Sequence, residues 1–92
     1  MNRMEFYKKG KNLLRSVLAR RKWMMAHDVS YIESKFCTDK MANIDYALSR
    51  IKTAAEMKTY LEKNETIIRY LIPGNNKKWI NELRELIQTN LN

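Results

Sequence analysis

Between Met4 and His27 the apolar residues recur at helical spacing. At about 100° per residue, Phe6, Leu13, Leu14, Val17, Leu18, Met24 and Met25 share one broad arc. Lys8, Lys11, Arg15 and Lys22 gather beside it in a sector of about 60°. That pattern predicts an amphipathic helix with an apolar face to bury and a narrow basic stripe next to it. Gly10 costs about 1 kcal/mol relative to Ala inside a helix. The reading therefore expects a helix that begins firmly only after Gly10, with residues 1–9 as a mobile basic lead-in.

Beyond His27 and Asp28 the chain turns polar. Ser30-Tyr31-Ile32-Glu33 has the form of a capping box and predicts a second helix starting near Tyr31. Thr38-Asp39 reads equally as a fresh N-cap or as an exposed turn within that helix. From Met41 onward Met41, Ile44, Leu48, Ile51 and Ala55 stand three or four apart, flanked by Ala47, Ala54 and Leu61, and predict the core helix. Lys63-Asn64-Glu65-Thr66 offers either a break, with Asn64 capping a short helix Glu65–Ile72, or a helix running through. Pro73-Gly74 ends the helical pattern, since proline cannot continue the ladder and glycine takes left-handed conformations cheaply. Asn76 then caps a last helix, Lys77 to Thr89, with Trp79, Ile80, Leu83, Leu86, Ile87 and Leu91 on its apolar face. No alternating β-branched run has turn residues on both sides. The fold class expected is all-α, a small bundle of three long helices or four shorter ones in one domain spanning 1–92.

Composition narrows this only a little. A chain of 92 residues has a modest core, so association is a natural source of extra stability. The Ile67–Ile72 segment and the alanine-rich helix are the surfaces through which a homo-oligomer would form. No apolar run approaches the roughly 18 residues of a membrane span, and no signal-peptide pattern appears. An organellar transit peptide is the weaker reading of the N-terminus, because the segment carries an apolar face that the fold needs. Cys37 is the single cysteine, which excludes an internal disulfide and fits a reducing, cytoplasmic compartment.

Charge changes the picture more. Residues 1–25 hold eight Lys/Arg and one acid, so +7 of the formal net charge of +8 lies there. Lys and Arg at helical spacing contact successive phosphates of a nucleic acid and release counterions. The expected nucleic-acid-binding residues are Lys8, Lys9, Lys11, Arg15, Arg20, Arg21 and Lys22. The arginines fork onto phosphate or base edges and the lysines act as point charges. Trp23 and Tyr7 are placed to stack on unpaired bases. No helix-turn-helix signature accompanies them. The expected partner is RNA or DNA. The alternative is an acidic surface of a larger protein, bound by this chain as adaptor or inhibitor, with Trp79, Leu83, Leu86 or Ile67–Ile72 carrying the affinity. A basic amphipathic helix lying on an anionic membrane is the weakest of the three.

Catalytic chemistry finds little support. His27-Asp28 matches the dipeptide of metal phosphohydrolases, but His27 is the only histidine, and those sites need more. Cys37 has no partner for a ligand cluster and reads as a structural thiol. No glycine-rich loop is present to cradle a phosphate. No enzyme, metal or cofactor is expected. Asn64-Glu65-Thr66 reads as a capping sequence rather than a glycosylation site. Tyr31, Phe36, Tyr46, Tyr60, Tyr70 and Trp79 are expected in packing roles.

Overall fold

The computed structural model describes residues 1–28 and 32–91. Among them the chain forms five α-helices and a 3-10 turn, and no strand. They are α1 (Arg3–His27), α2 (Lys35–Arg50), α3 (Ala54–Lys63), α4 (Glu65–Leu71), the turn Pro73–Asn75 and α5 (Lys77–Gln88). The all-α class holds, with one helix more than the larger of the two counts expected.

The first helix organises the rest. It touches α2, α3, α4, the 3-10 turn and α5. Twenty-five residues at about 1.5 Å each make it roughly 37 Å long, close to the molecule's longest extent of 46 Å. Contrary to the expectation of a loose lead-in before Gly10, α1 is continuous from Arg3. Two features explain this. Asn2 caps the helix, its Oδ1 accepting from the Glu5 N–H at 2.8 Å while its Nδ2 donates to the Glu5 carboxylate at 3.1 Å. Gly10 is buried against α3, where a Cβ would meet Met57 Cγ at 2.7 Å and Sδ at 2.8 Å. The glycine weakens the helix locally but lets α3 approach it.

Phe6, Leu13, Leu14, Val17 and Leu18 supply α1's share of the core, joined by Cys37, Met41, Ile44, Ile51, Ala54, Met57, Leu61, Ile68, Leu71, Ile72, Leu83 and Leu86. Beyond Leu18 no apolar residue of α1 is fully buried, though Arg21 and Met24 are half-buried.

The second helix starts at Lys35, capped by Ser34, whose Oγ accepts from the Cys37 N–H at 3.1 Å. Ser30 and Tyr31 of the expected capping box lie outside the described residues. Ile32, Glu33 and Ser34 precede the helix rather than beginning it. Thr38 and Asp39 lie inside α2, with the Thr38 hydroxyl bonded back to the Ser34 carbonyl.

The apolar run from Met41 to Leu61 is not one helix. It breaks at Ile51–Thr53 because the Thr53-x-x-Glu56 capping box offers the backbone better partners than the helix ladder would. Thr53 Oγ1 accepts from the Glu56 N–H, and the Glu56 carboxylate accepts from the Lys52 and Thr53 N–H groups at 3.1 and 3.0 Å. The break rotates the next face, so Ala54 and Met57 are buried while Ala55, expected inward, is exposed.

Asn64 separates α3 from α4 but caps backward. Its Nδ2 donates to the Tyr60 carbonyl at 2.9 Å, and it makes no side-chain cap to α4. Gly74 takes φ +63°, the left-handed conformation that the Pro73–Asn75 turn requires. Asn76 caps α5 as expected, accepting from the Trp79 N–H. The far end of α5 is closed by Lys58 of α3, which donates to the Leu86, Ile87 and Thr89 carbonyls. The Leu86 carbonyl also accepts the Thr89 N–H that closes α5, and the ammonium supplies a donor for the end carbonyls of the helix, so one half-buried lysine satisfies a helix terminus and ties α3 to α5.

Candidate nucleic-acid interface

The apolar arc of α1 faces the bundle, which turns the opposite arc outward. Lys8, Lys9, Arg15 and Arg20 are exposed on that outward side. None of the four has a carboxylate within ion-pair distance among the described residues. Lys22 is exposed and pairs with Asp45 of α2 at 2.9 Å. With side chains half in solvent, that pair is worth at most about 1 kcal/mol and exchanges readily for a phosphate. Lys9 also borders a cleft of about 360 Å³ between the start of α1 and α5, where Glu82 and Glu85 dilute its field.

Two of the expected residues are committed to the fold. Lys11 is half-buried, its Nζ 3.2 Å from the Tyr7 hydroxyl and 5.2 Å from the Tyr7 ring centroid. Tyr7 in turn donates to the Ile51 carbonyl at 3.0 Å, closing the α2–α3 break and pinning α1 to it. Tyr7 is therefore a packing residue rather than a stacking surface.

Arg21 is the clearer departure from the expected set. Its Nε donates to the Leu71 carbonyl at 2.7 Å, Nη2 to the Tyr70 carbonyl at 3.0 Å and Nη1 to the Glu33 carboxylate at 2.8 Å. The two side chains are only 12% and 6% exposed. The guanidinium caps the end of α4 and holds the segment leading into α2. It is not free to meet a phosphate, because leaving would take a charged donor from two carbonyls at the end of α4 and the cation from a nearly buried carboxylate.

One arrangement was not anticipated. Trp23 is 48% exposed. The His27 ring stacks on it with centroids 4.6 Å apart and planes 10° from parallel. The Arg20 guanidinium carbon lies 4.6 Å from the same ring centroid. The spacing i, i+3, i+7 aligns these residues on one face of a helix, and that spacing was visible in the sequence. His27 is also fixed through Nδ1, which is 2.9 Å from the Trp23 carbonyl.

The other aromatics divide. Tyr60 and Trp79 pack against the core as expected. Phe36, Tyr46 and Tyr70 are exposed instead. Phe36 and Tyr70 meet edge to face at 6.1 Å, with Lys40 over Phe36 and the very exposed Ile32 preceding α2. The Tyr70 hydroxyl is held above its ordinary pKa first by its hydrogen bond with the Cys37 thiol, and Cys37 is buried. Of the residues expected to carry a protein partner's affinity, Leu83, Leu86, Ile68, Leu71 and Ile72 lie in the core, Ile67 and Trp79 are half-buried, and Tyr70 is exposed.

Among the described residues no group of three or more His, Cys, Asp or Glu side chains is placed to hold a metal ion. No helix there is long and apolar enough to cross a membrane. Compared with protein-family models, curated proteins and solved structures, the chain matches none of them.

Proposed function

We propose that this chain is a small non-enzymatic helical protein that binds nucleic acid through the outward face of α1. The observation that carries the reading is the set of exposed cations Lys8, Lys9, Arg15 and Arg20, without carboxylate partners among the described residues, on one rigid helix. From Lys8 to Arg20 they span about 18 Å of helix axis, the length of several phosphates along a strand. Lys22 joins them at the small cost of its exposed pair with Asp45.

The test is a titration of labelled RNA and DNA across a salt series. Each phosphate contact on a single strand contributes about −0.7 to the slope of log affinity against log salt. Four contacts give about −3. Lys8→Glu with Arg15→Glu abolishes binding while leaving the circular dichroism unchanged. Unchanged binding by a folded double variant refutes the reading.

One observation favours a second reading, docking on an acidic surface of a larger protein. Ile32, Phe36 and Tyr70 are exposed, with Lys40 over the Phe36 ring, an apolar centre with a cation beside it. A protein that co-purifies in the presence of nuclease and moderate salt, and is lost on Phe36→Ala, supports this alternative.

A further inference from the structure

We propose that the Arg20–Trp23–His27 ladder is a stacking platform for unpaired bases, so that the ligand of α1 is single-stranded nucleic acid. The inference rests on the polyanion reading of α1 and names the form of polyanion.

The position of Trp23 comes first. At about 100° per residue, its side chain projects near the middle of the outward arc, with Arg15 and Lys22 to one side and Arg20 to the other. It belongs to the last turns of α1, past the final buried residue, Leu18. An indole is the largest apolar side chain, and the core takes none of this one. Among the described residues its ring meets two planar, polar neighbours on the same helix.

The geometry of those contacts follows. Arg20 comes from one turn before Trp23 and His27 from one turn after, and both lie 4.6 Å from the ring centroid. His27 is anchored twice, by the parallel stack at 4.6 Å and by its bond to the Trp23 carbonyl. Arg20 is held only by the indole face and has no carboxylate partner among the described residues. The indole thus has one firmly held neighbour, His27, and one that leaves easily, Arg20.

A nucleotide matches both halves of that arrangement. A base takes the place of the guanidinium on the indole, and the displaced guanidinium forks onto the phosphate of the same strand. Cation–π contact is exchanged for base stacking and a charge-assisted hydrogen bond. His27 keeps the indole from turning while this happens. Duplex bases are already paired and stacked, so their faces cannot reach the ring. Unpaired bases present theirs freely.

The experiment uses the full chain with Trp79→Phe, so that Trp23 is the only indole. Four ligands of equal length are titrated at one salt concentration: an oligouridylate, an oligothymidylate, an abasic strand with the same phosphates, and a duplex. Both base-bearing single strands are expected to quench Trp23 emission and to bind about tenfold tighter than the abasic strand. Trp23→Ala removes that advantage and leaves the salt slope unchanged, and Trp23→Tyr restores most of it. Equal affinity for abasic and base-bearing strands, with Trp23→Ala neutral, overturns the stacking proposal while the polyanion reading stands. A preference for duplex also overturns it. Failure to bind any of the four ligands at low salt overturns the polyanion reading and the stacking proposal together.

Discussion

Two adjacent arginines, Arg20 and Arg21, carry the same charge and are assigned opposite roles, which makes them the sharpest test of the physical reasoning. Arg21→Met keeps most of the apolar stem and removes the guanidinium. The Leu71 and Tyr70 carbonyls lose a charged donor, and Glu33 loses the cation 2.8 Å away. Breaking a buried pair by removing one partner costs about 3–5 kcal/mol. With side chains 12% and 6% exposed rather than fully enclosed, the lower figure of about 3 kcal/mol applies. In a chain of 92 residues, that lowers the melting temperature by about 15 °C.

Arg20→Met, one residue away, loses only an exposed cation–π contact and stays within about 1 kcal/mol of wild type. Its effect falls on binding, where the salt slope drops by about 0.7. Thermal melts followed by circular dichroism, alongside the salt titration, separate the two. If Arg21→Met melts with wild type, or Arg20→Met falls as far, the division of labour is wrong.

Three further outcomes follow from the packing. Gly10→Ala gains about 1 kcal/mol of helix propensity but drives a Cβ into Met57, which is fully buried, at an overpacking cost of about 1–3 kcal/mol. Urea unfolding should show net destabilisation, relieved when Met57 is shortened to Val, and a stabilised single variant would contradict the close contact. Lys58→Met removes the charged donor from the Ile87 and Thr89 carbonyls and the second donor from Leu86 and should cost about 1.5–3 kcal/mol, with amide exchange accelerating first at the end of α5. The Glu56 carboxyl is held below its ordinary pKa, chiefly by the Lys52 N–H and then by the Thr53 hydroxyl. Its contribution is complete above the unfolded pKa and fades as pH falls through the lowered folded value, so the stability gap between wild type and Glu56→Gln should close in acid.

The sequence carried the helical class and the helix ends around Pro73 to Asn76 in plain form. Asn76, Pro73 and Gly74 act locally, and each does what its chemistry dictates. The α2–α3 break escaped because the three-and-four spacing of Met41, Ile44, Leu48 and Ile51 runs into it without a fault. The Thr53-x-x-Glu56 box that causes it is as legible as the Ser30 box singled out upstream. Arg21 was misplaced by counting charges along the chain rather than around the helix. At about 100° per residue, it falls between Val17 and Leu14, inside the apolar arc, where a cation must find buried partners. Those partners, Glu33 and the Leu71 carbonyl, belong to distant segments, which no local pattern reveals. Lys58 escaped for the same reason, since its partners on and just beyond α5 come 28 to 31 residues later.

The position of α1 has a consequence for synthesis. This helix is made before every element it packs against, and α5, one of its neighbours, comes last. At about 5–20 residues per second, the ribosome needs several seconds between finishing α1 and finishing α5. Throughout that interval the stripe from Phe6 to Leu18 lacks part of its cover. A nascent chain in this state is a natural client for chaperones, and a product cut short before α5 would remain one, marked for degradation by the same apolar surface that closes the finished fold.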